Sequence, residues 1–141
     1  MDEQRWRELE SHYLASPFHE HLGLTLRVEA AGQAVVSLTP QPWAANHHGT
    51  VAGGIVATMI DSAVCQAVRT VIEPRLRVWT LDLKINYVRP AKVASGFFVR
   101  AVVDHAGRTI AVGSGRAMTP DDTLLAVGLV TVAVRPAPDE A

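Results

Sequence analysis

The sequence predicts an α+β fold in which one antiparallel sheet of about five to six strands wraps around a single long helix. Three observations lead there. Residues 53–72 form one Ala-, Val- and Ile-rich run closed by Pro74, apolar nearly all round, which is the pattern of a buried helix. Strand-like runs flank it, two before and three or more after. The last sixty or so residues contain no further helical segment, and parallel crossovers would need one.

Taken in order, residues 2–15 carry acids at the start and Trp6, Leu9, Tyr13 and Leu14 at helical spacing, so an additional N-terminal helix is expected. Ser16-Pro17 breaks it, and a turn around Phe18 to Leu22 follows. Leu24 to Glu29 alternates apolar and polar residues, and Ala31-Gly32-Gln33 turns the chain into a second strand, Ala34 to Thr39. Pro40 and Pro42 end that pairing, and Trp43 to Ala52 reads as a loop. After the helix come strand runs over Leu76–Val88, Gly96–Val103, Thr109–Met118 and Leu124–Val134, the last preceded by the turn Pro120-Asp121-Asp122. Gly113-Ser114-Gly115 within a strand marks a bulge or a tight approach. Residues 135–141 are expected to fray, and all 141 residues to form one domain.

Composition narrows function by exclusion. The formal net charge is −1, with acids and bases interspersed, so no basic stripe suits a nucleic-acid backbone. Cys65 is the only cysteine, which rules out an intramolecular disulfide. The charged start, Met1 to Arg7, has no apolar core of a secretory leader. The most apolar window, Val51 to Val68, is interrupted by Asp61 and Gln66, so no membrane span and a cytoplasmic location are expected.

Asp61 is the most conspicuous residue, a carboxylate inside the most apolar stretch. It is either a structural group, held by a loop or by Arg69, or a general base enclosed for that purpose. Gly53-Gly54 opens the same helix, where unpartnered N–H groups at the positive dipole end suit an oxyanion; the plainer reading is a flexible helix start. Gly53 and Asp61 lie about 12 Å apart along the helix axis at 1.5 Å per residue. One chain therefore cannot place both against the same carbonyl, whereas two antiparallel helices about a two-fold axis can. If both act, a homodimer is required.

His19, His21, His47 and His48 lack carboxylates at ligand spacing and read as loop histidines, so no metal is expected. Cys65, one turn beyond Asp61, reads as a small buried hydrophobe. Arg89, Arg108 and Arg116 sit at strand ends or turns, either as solvated charges or as holders of phosphates. Trp43 and Trp79 fit an apolar pocket or the core, with Trp79 read as core.

The stretch Asn46-His47-His48-Gly49-Thr50-Val51-Ala52-Gly53-Gly54, followed by Asp61, resembles the N-x-x-G-x-x-H-G-G…D signature of hotdog-fold acyl-CoA thioesterases, and of their PaaI-like, phenylacetate-degradation branch in particular. Thr80 to Ala91 is similar to that family's next strand, with its Y-x-R-P-A ending at Tyr87, Arg89, Pro90 and Ala91. The likeness spans roughly residues 20–134 and implies a hotdog fold and hydrolysis of acyl- or aryl-CoA thioesters. It implies Asp61 as general base or nucleophile, Gly53 as the backbone donor to the carbonyl, Asn46 as the residue that orients water or thioester, and Thr80 as the hydroxyl that assists the attacking water. His48, Gly54, Arg89, Arg108 and Arg116 are the candidate substrate contacts. The implied assembly is a dimer, often doubled into a tetramer, and the only coenzyme is the CoA of the substrate. One position departs: Ala52 stands where the signature has histidine, with His48 four residues upstream. That departure leaves a rival reading, a non-catalytic acyl-CoA-binding protein.

Overall fold

The computed structural model describes residues 2–39 and 41–138. Helices α1 (Glu3–Ala15) and α2 (Pro17–Leu22) precede a hairpin of β1 (Leu24–Ala30) and β2 (Gln33–Leu38). A single 3-10 turn, Pro42–Ala44, leads into the loop before α3 (Gly53–Arg69). Four strands follow: β3 (Leu76–Tyr87), β4 (Phe97–Ala106), β5 (Ile110–Met118) and β6 (Leu124–Pro136). They form one antiparallel sheet in the order β1-β2-β4-β5-β6-β3. The hotdog architecture is thus present, six strands curved around α3.

The helix is buried along one stripe, Val56, Met59, Ile60, Ala63, Val64, Ala67 and Val68, rather than on most sides. Glycines let it lie close to the sheet. A Cβ on Gly113 would stand 2.6 Å from Val64 Cγ1, and one on Gly128 2.6 Å from Ile60 Cγ2. Gly113-Ser114-Gly115 therefore marks the tight approach, and the register shift of β4, between Val103 and His105, begins opposite Gly113. Gly128→Ala is expected to lower the unfolding free energy by about 1–3 kcal/mol, as overpacking of a filled core does. Urea denaturation measures it.

On its other flank α3 is held by α1. The Tyr13 hydroxyl lies 2.8 Å from Ser62 Oγ, and Arg5 donates to the Arg69 carbonyl at 2.8 Å. Burial pushes the Tyr13 phenol up to about 12.

Four local expectations change. The turn at Phe18–Leu22 is the short helix α2, because Pro17 presets its first φ and Gly23, at φ +74°, closes it. The long helix ends at Arg69, three residues before Ile72, where the Thr70 hydroxyl donates to the Ala67 carbonyl at 2.6 Å. The last strand continues through Arg135 and Pro136, opposite Arg77 and Leu76, so the tail departs later than its prolines suggest. Pro40 and residues 139–141 lie outside the described residues. Trp79 is exposed rather than part of the core, since β3 is an edge strand.

Candidate active site

Two clusters lie along one face of α3. The first surrounds its amino end. No side chain caps this end; Ile55 N–H donates to the Ala52 carbonyl at 3.0 Å, and the Gly53 and Gly54 N–H groups have no partner among the described residues. The loop that delivers it is tied down at both ends, with Val51 N–H donating to the Ala91 carbonyl at 2.9 Å and Ala52 N–H to the Ala44 carbonyl at 2.9 Å. Within the loop, Asn46 Oδ1 accepts from the His48 and Thr50 N–H groups at 2.9 and 3.2 Å, and its Nδ2 donates to Thr50 Oγ1 at 2.9 Å. Asn46 thus shapes the loop while lining a cleft of about 330 Å³ with Gly53, Val56, Tyr87 and Arg89.

Tyr87 is the residue that sequence reasoning left without a role. Its hydroxyl donates to the Gly53 carbonyl at 2.6 Å, and its ring lies 3.3 Å from where a Gly53 Cβ would stand. Residue 53 is therefore small because β3 packs against the helix start. Gly54 is exposed with open space around it, so contact does not demand glycine there.

The second cluster centres on Asp61, which is half-buried. The Thr80 hydroxyl donates to its Oδ1 at 2.6 Å, and the Cys65 thiol approaches the same oxygen at 3.9 Å. Asp61 Oδ2 receives no hydrogen bond from the described residues, and Arg69 does not pair with Asp61. The carboxylate is thus oriented through one oxygen and free at the other. Burial first, and the Asp61 charge second, push the Cys65 thiol up to about 11, so it stays protonated and can donate. A thiol more acidic when unfolded binds its proton more tightly in the fold. Stability from Cys65 is therefore full below pH 9 and lost as pH rises towards 11, by about 2 kcal/mol. Chemical denaturation from pH 8 to 11 checks this, with Cys65→Ala expected to flatten that part of the slope.

The other expected site residues scatter. Arg89 lines the first cleft and donates to the Leu124 carbonyl at 2.8 Å. His48 is exposed, its ring 3.8 Å from that of His47. Arg108 occupies the turn before β5, in a separate cleft near the carboxyl end of α3. Arg116 is exposed on β5, opposite Arg100 and Val127. Among the described residues no group of three or more His, Cys, Asp or Glu is arranged to hold a metal. No described helix is long and apolar enough to cross a membrane.

An uncapped helix start and an oriented carboxylate on one exposed helix face are the parts that acyl transfer needs. Comparison with known proteins adds the family: the one described as the thioesterase superfamily matches residues 48–126, which include Gly53, Asp61, Thr80 and Tyr87. The chain belongs to the thioesterase superfamily. Human acyl-coenzyme A thioesterase 13 is 30% identical over 71% of this chain and 71% of its own length. A mutant of phenylacetic acid degradation protein PaaI from Thermus thermophilus is 29% identical, with a TM-score of 0.76, over 84% of this chain and 98% of that one. The E. coli PaaI protein, at 19% identity, shares the fold with a TM-score of 0.86 over 96% of both chains. This thioesterase-superfamily chain is accordingly a thioester hydrolase, with a PaaI-like fold.

Proposed function

We propose that the chain hydrolyses acyl- or aryl-CoA thioesters to the free acid and CoA, in sites shared by two copies. The thioester carbonyl rests on the Gly53 N–H of one subunit, and the partner's Asp61 acts on it. As general base, the partner's Asp61 takes a proton from water while the water oxygen bonds to the carbonyl carbon. The oxyanion is held at the helix start, the C–S bond then breaks, and the CoA sulfur leaves with the proton from the carboxyl. Direct attack by the carboxylate is the alternative course and uses the same contacts.

The observation that carries this reading is the division of the machinery. The uncapped helix start and the Thr80-oriented Asp61 lie on one helix face but eight residues apart, about 12 Å, too far for one carbonyl. The surface between them suits a second copy. Ala57 is small, and the neighbouring edge strand β3 exposes Leu81 and Leu83 beside a free row of backbone donors and acceptors. Two such dimers would make the tetramer that the family resemblance implies, and the cytoplasm is the proposed location.

The test is turnover of a panel of aliphatic and aromatic CoA thioesters, followed with a thiol reagent. Release of free CoA by the wild-type protein supports the reading. Ala52, which stands where the family signature has histidine, favours a second one: a binding protein that holds CoA thioesters intact. Tight binding without turnover across the panel, with activity appearing in Ala52→His, would decide for that.

A further inference from the structure

We infer that Arg75 and Arg108 of one subunit bind the phosphates of the CoA held at the other subunit's helix start, a role that rests on the dimeric reading above. Within one chain Arg108 looks misplaced. It lines a cleft of about 590 Å³ with Arg75 and Arg135 over an apolar floor that includes Ile72, Leu76 and Val134. That cleft lies beyond the carboxyl end of α3, a helix about 25 Å long, so it is remote from Gly53.

A two-fold axis reverses this. Two short hydrogen bonds fix β3 against α3, Thr80 to Asp61 at 2.6 Å and Tyr87 to Gly53 at 2.6 Å, beside a longer contact of Cys65 Sγ with Thr80 Oγ1 at 3.6 Å. When the partner's Asp61 meets Gly53, the partner's Thr80 is carried towards Tyr87. The two β3 strands then run antiparallel about a point near Leu83 and Lys84. The first residues of the partner's β3 fall beside the last residues of the other. The partner's Arg75 comes next to Pro90–Lys92, and the arginine cleft abuts the Gly53 end of the neighbouring site.

That neighbouring end is itself basic. Arg89 and Lys92 line a cleft of about 570 Å³ together with Ser95, Thr119, Thr123 and Asp121. The Asp121 carboxylate is occupied by Thr123 and Thr119 hydroxyls. On the arginine side, Glu73 pairs with Arg75 at 2.8 Å, while Arg108 and Arg135 have no ion pair among the described residues. Five cations against two carboxylates thus ring one junction between subunits. The ligand chemistry that matches is a phosphorylated nucleoside diphosphate on a long arm, the non-reacting end of a CoA thioester.

The test compares an acyl-CoA with the N-acetylcysteamine thioester of the same acyl group, which lacks every phosphate. The readout is the ratio of the two kcat/KM values. Arg75→Ala combined with Arg108→Ala is expected to lower that ratio about tenfold or more, through KM for the CoA substrate. An unchanged ratio overturns the inference, whereas wild-type protein that cleaves neither thioester overturns the function itself. Mixed dimers assign the subunit. An Asp61→Ala chain paired with an Arg75→Ala, Arg108→Ala chain leaves one live site, whose Asp61 comes from the arginine-deficient chain. That site is expected to show the lowered ratio. A wild-type ratio there would place the arginines with the Gly53 subunit instead and overturn the inference.

Discussion

Asp61→Ala is expected to reduce kcat for a CoA thioester about 10²–10⁴-fold while leaving KM within a few-fold of wild type. The carboxylate acts on water or on the carbonyl carbon, not on the distant parts of the substrate that supply binding. Its geometry supports this division. Thr80 holds Oδ1 at 2.6 Å, and Oδ2 receives no hydrogen bond from the described residues. Asp61→Asn keeps the shape and the bond from Thr80 but removes the basicity, so it is expected to fall with the alanine variant. Because Asp61 is half-buried and lies outside the packed stripe of α3, neither change should unfold the protein. Steady-state kinetics, with a thermal melt as control, read both quantities.

The second large effect concerns a group that no ordinary side-chain substitution removes, the Gly53 N–H. Gly53→Pro is expected to lower kcat about 10²–10³-fold, the usual loss on removing one oxyanion donor. Proline is tolerated at the first position of a helix, where its missing N–H breaks no helical bond. The residue before it must be extended, and Ala52 already is, at φ −56° and ψ 133°. Proline also brings a Cβ that would press on the Tyr87 ring at 3.3 Å. Gly53→Ala supplies that crowding and keeps the N–H, so the difference between the two variants isolates the donor. A proline variant no slower than the alanine one would remove Gly53 from the chemistry.

Much of this was legible in the sequence because it is local. The apolar run after Gly53, the alternation along Leu24–Glu29 and the prolines after β2 all report on neighbouring residues. The Asp61–Cys65 proximity likewise follows from helical spacing. What was hidden depends on sheet order. β3 lies beside β6 at the edge, although β4 follows it in the chain, and that placement alone brings Thr80 to Asp61 and Tyr87 to Gly53. Arg89 and Arg108 look equivalent as arginines at turns, yet they line clefts at opposite ends of α3. The helix α2 had both its signals, Pro17 and Gly23, but six residues are too few to display a period.

The shared site is tested most directly by mixing two variants that are each expected to be nearly inactive, Gly53→Pro and Asp61→Ala, after dissociation and reassembly. A mixed dimer contains one site with an intact Gly53 from one chain and an intact Asp61 from the other. Recovery of up to half the wild-type activity per mixed dimer is the predicted result. Mixed dimers that form and stay inactive would contradict a site built from two chains.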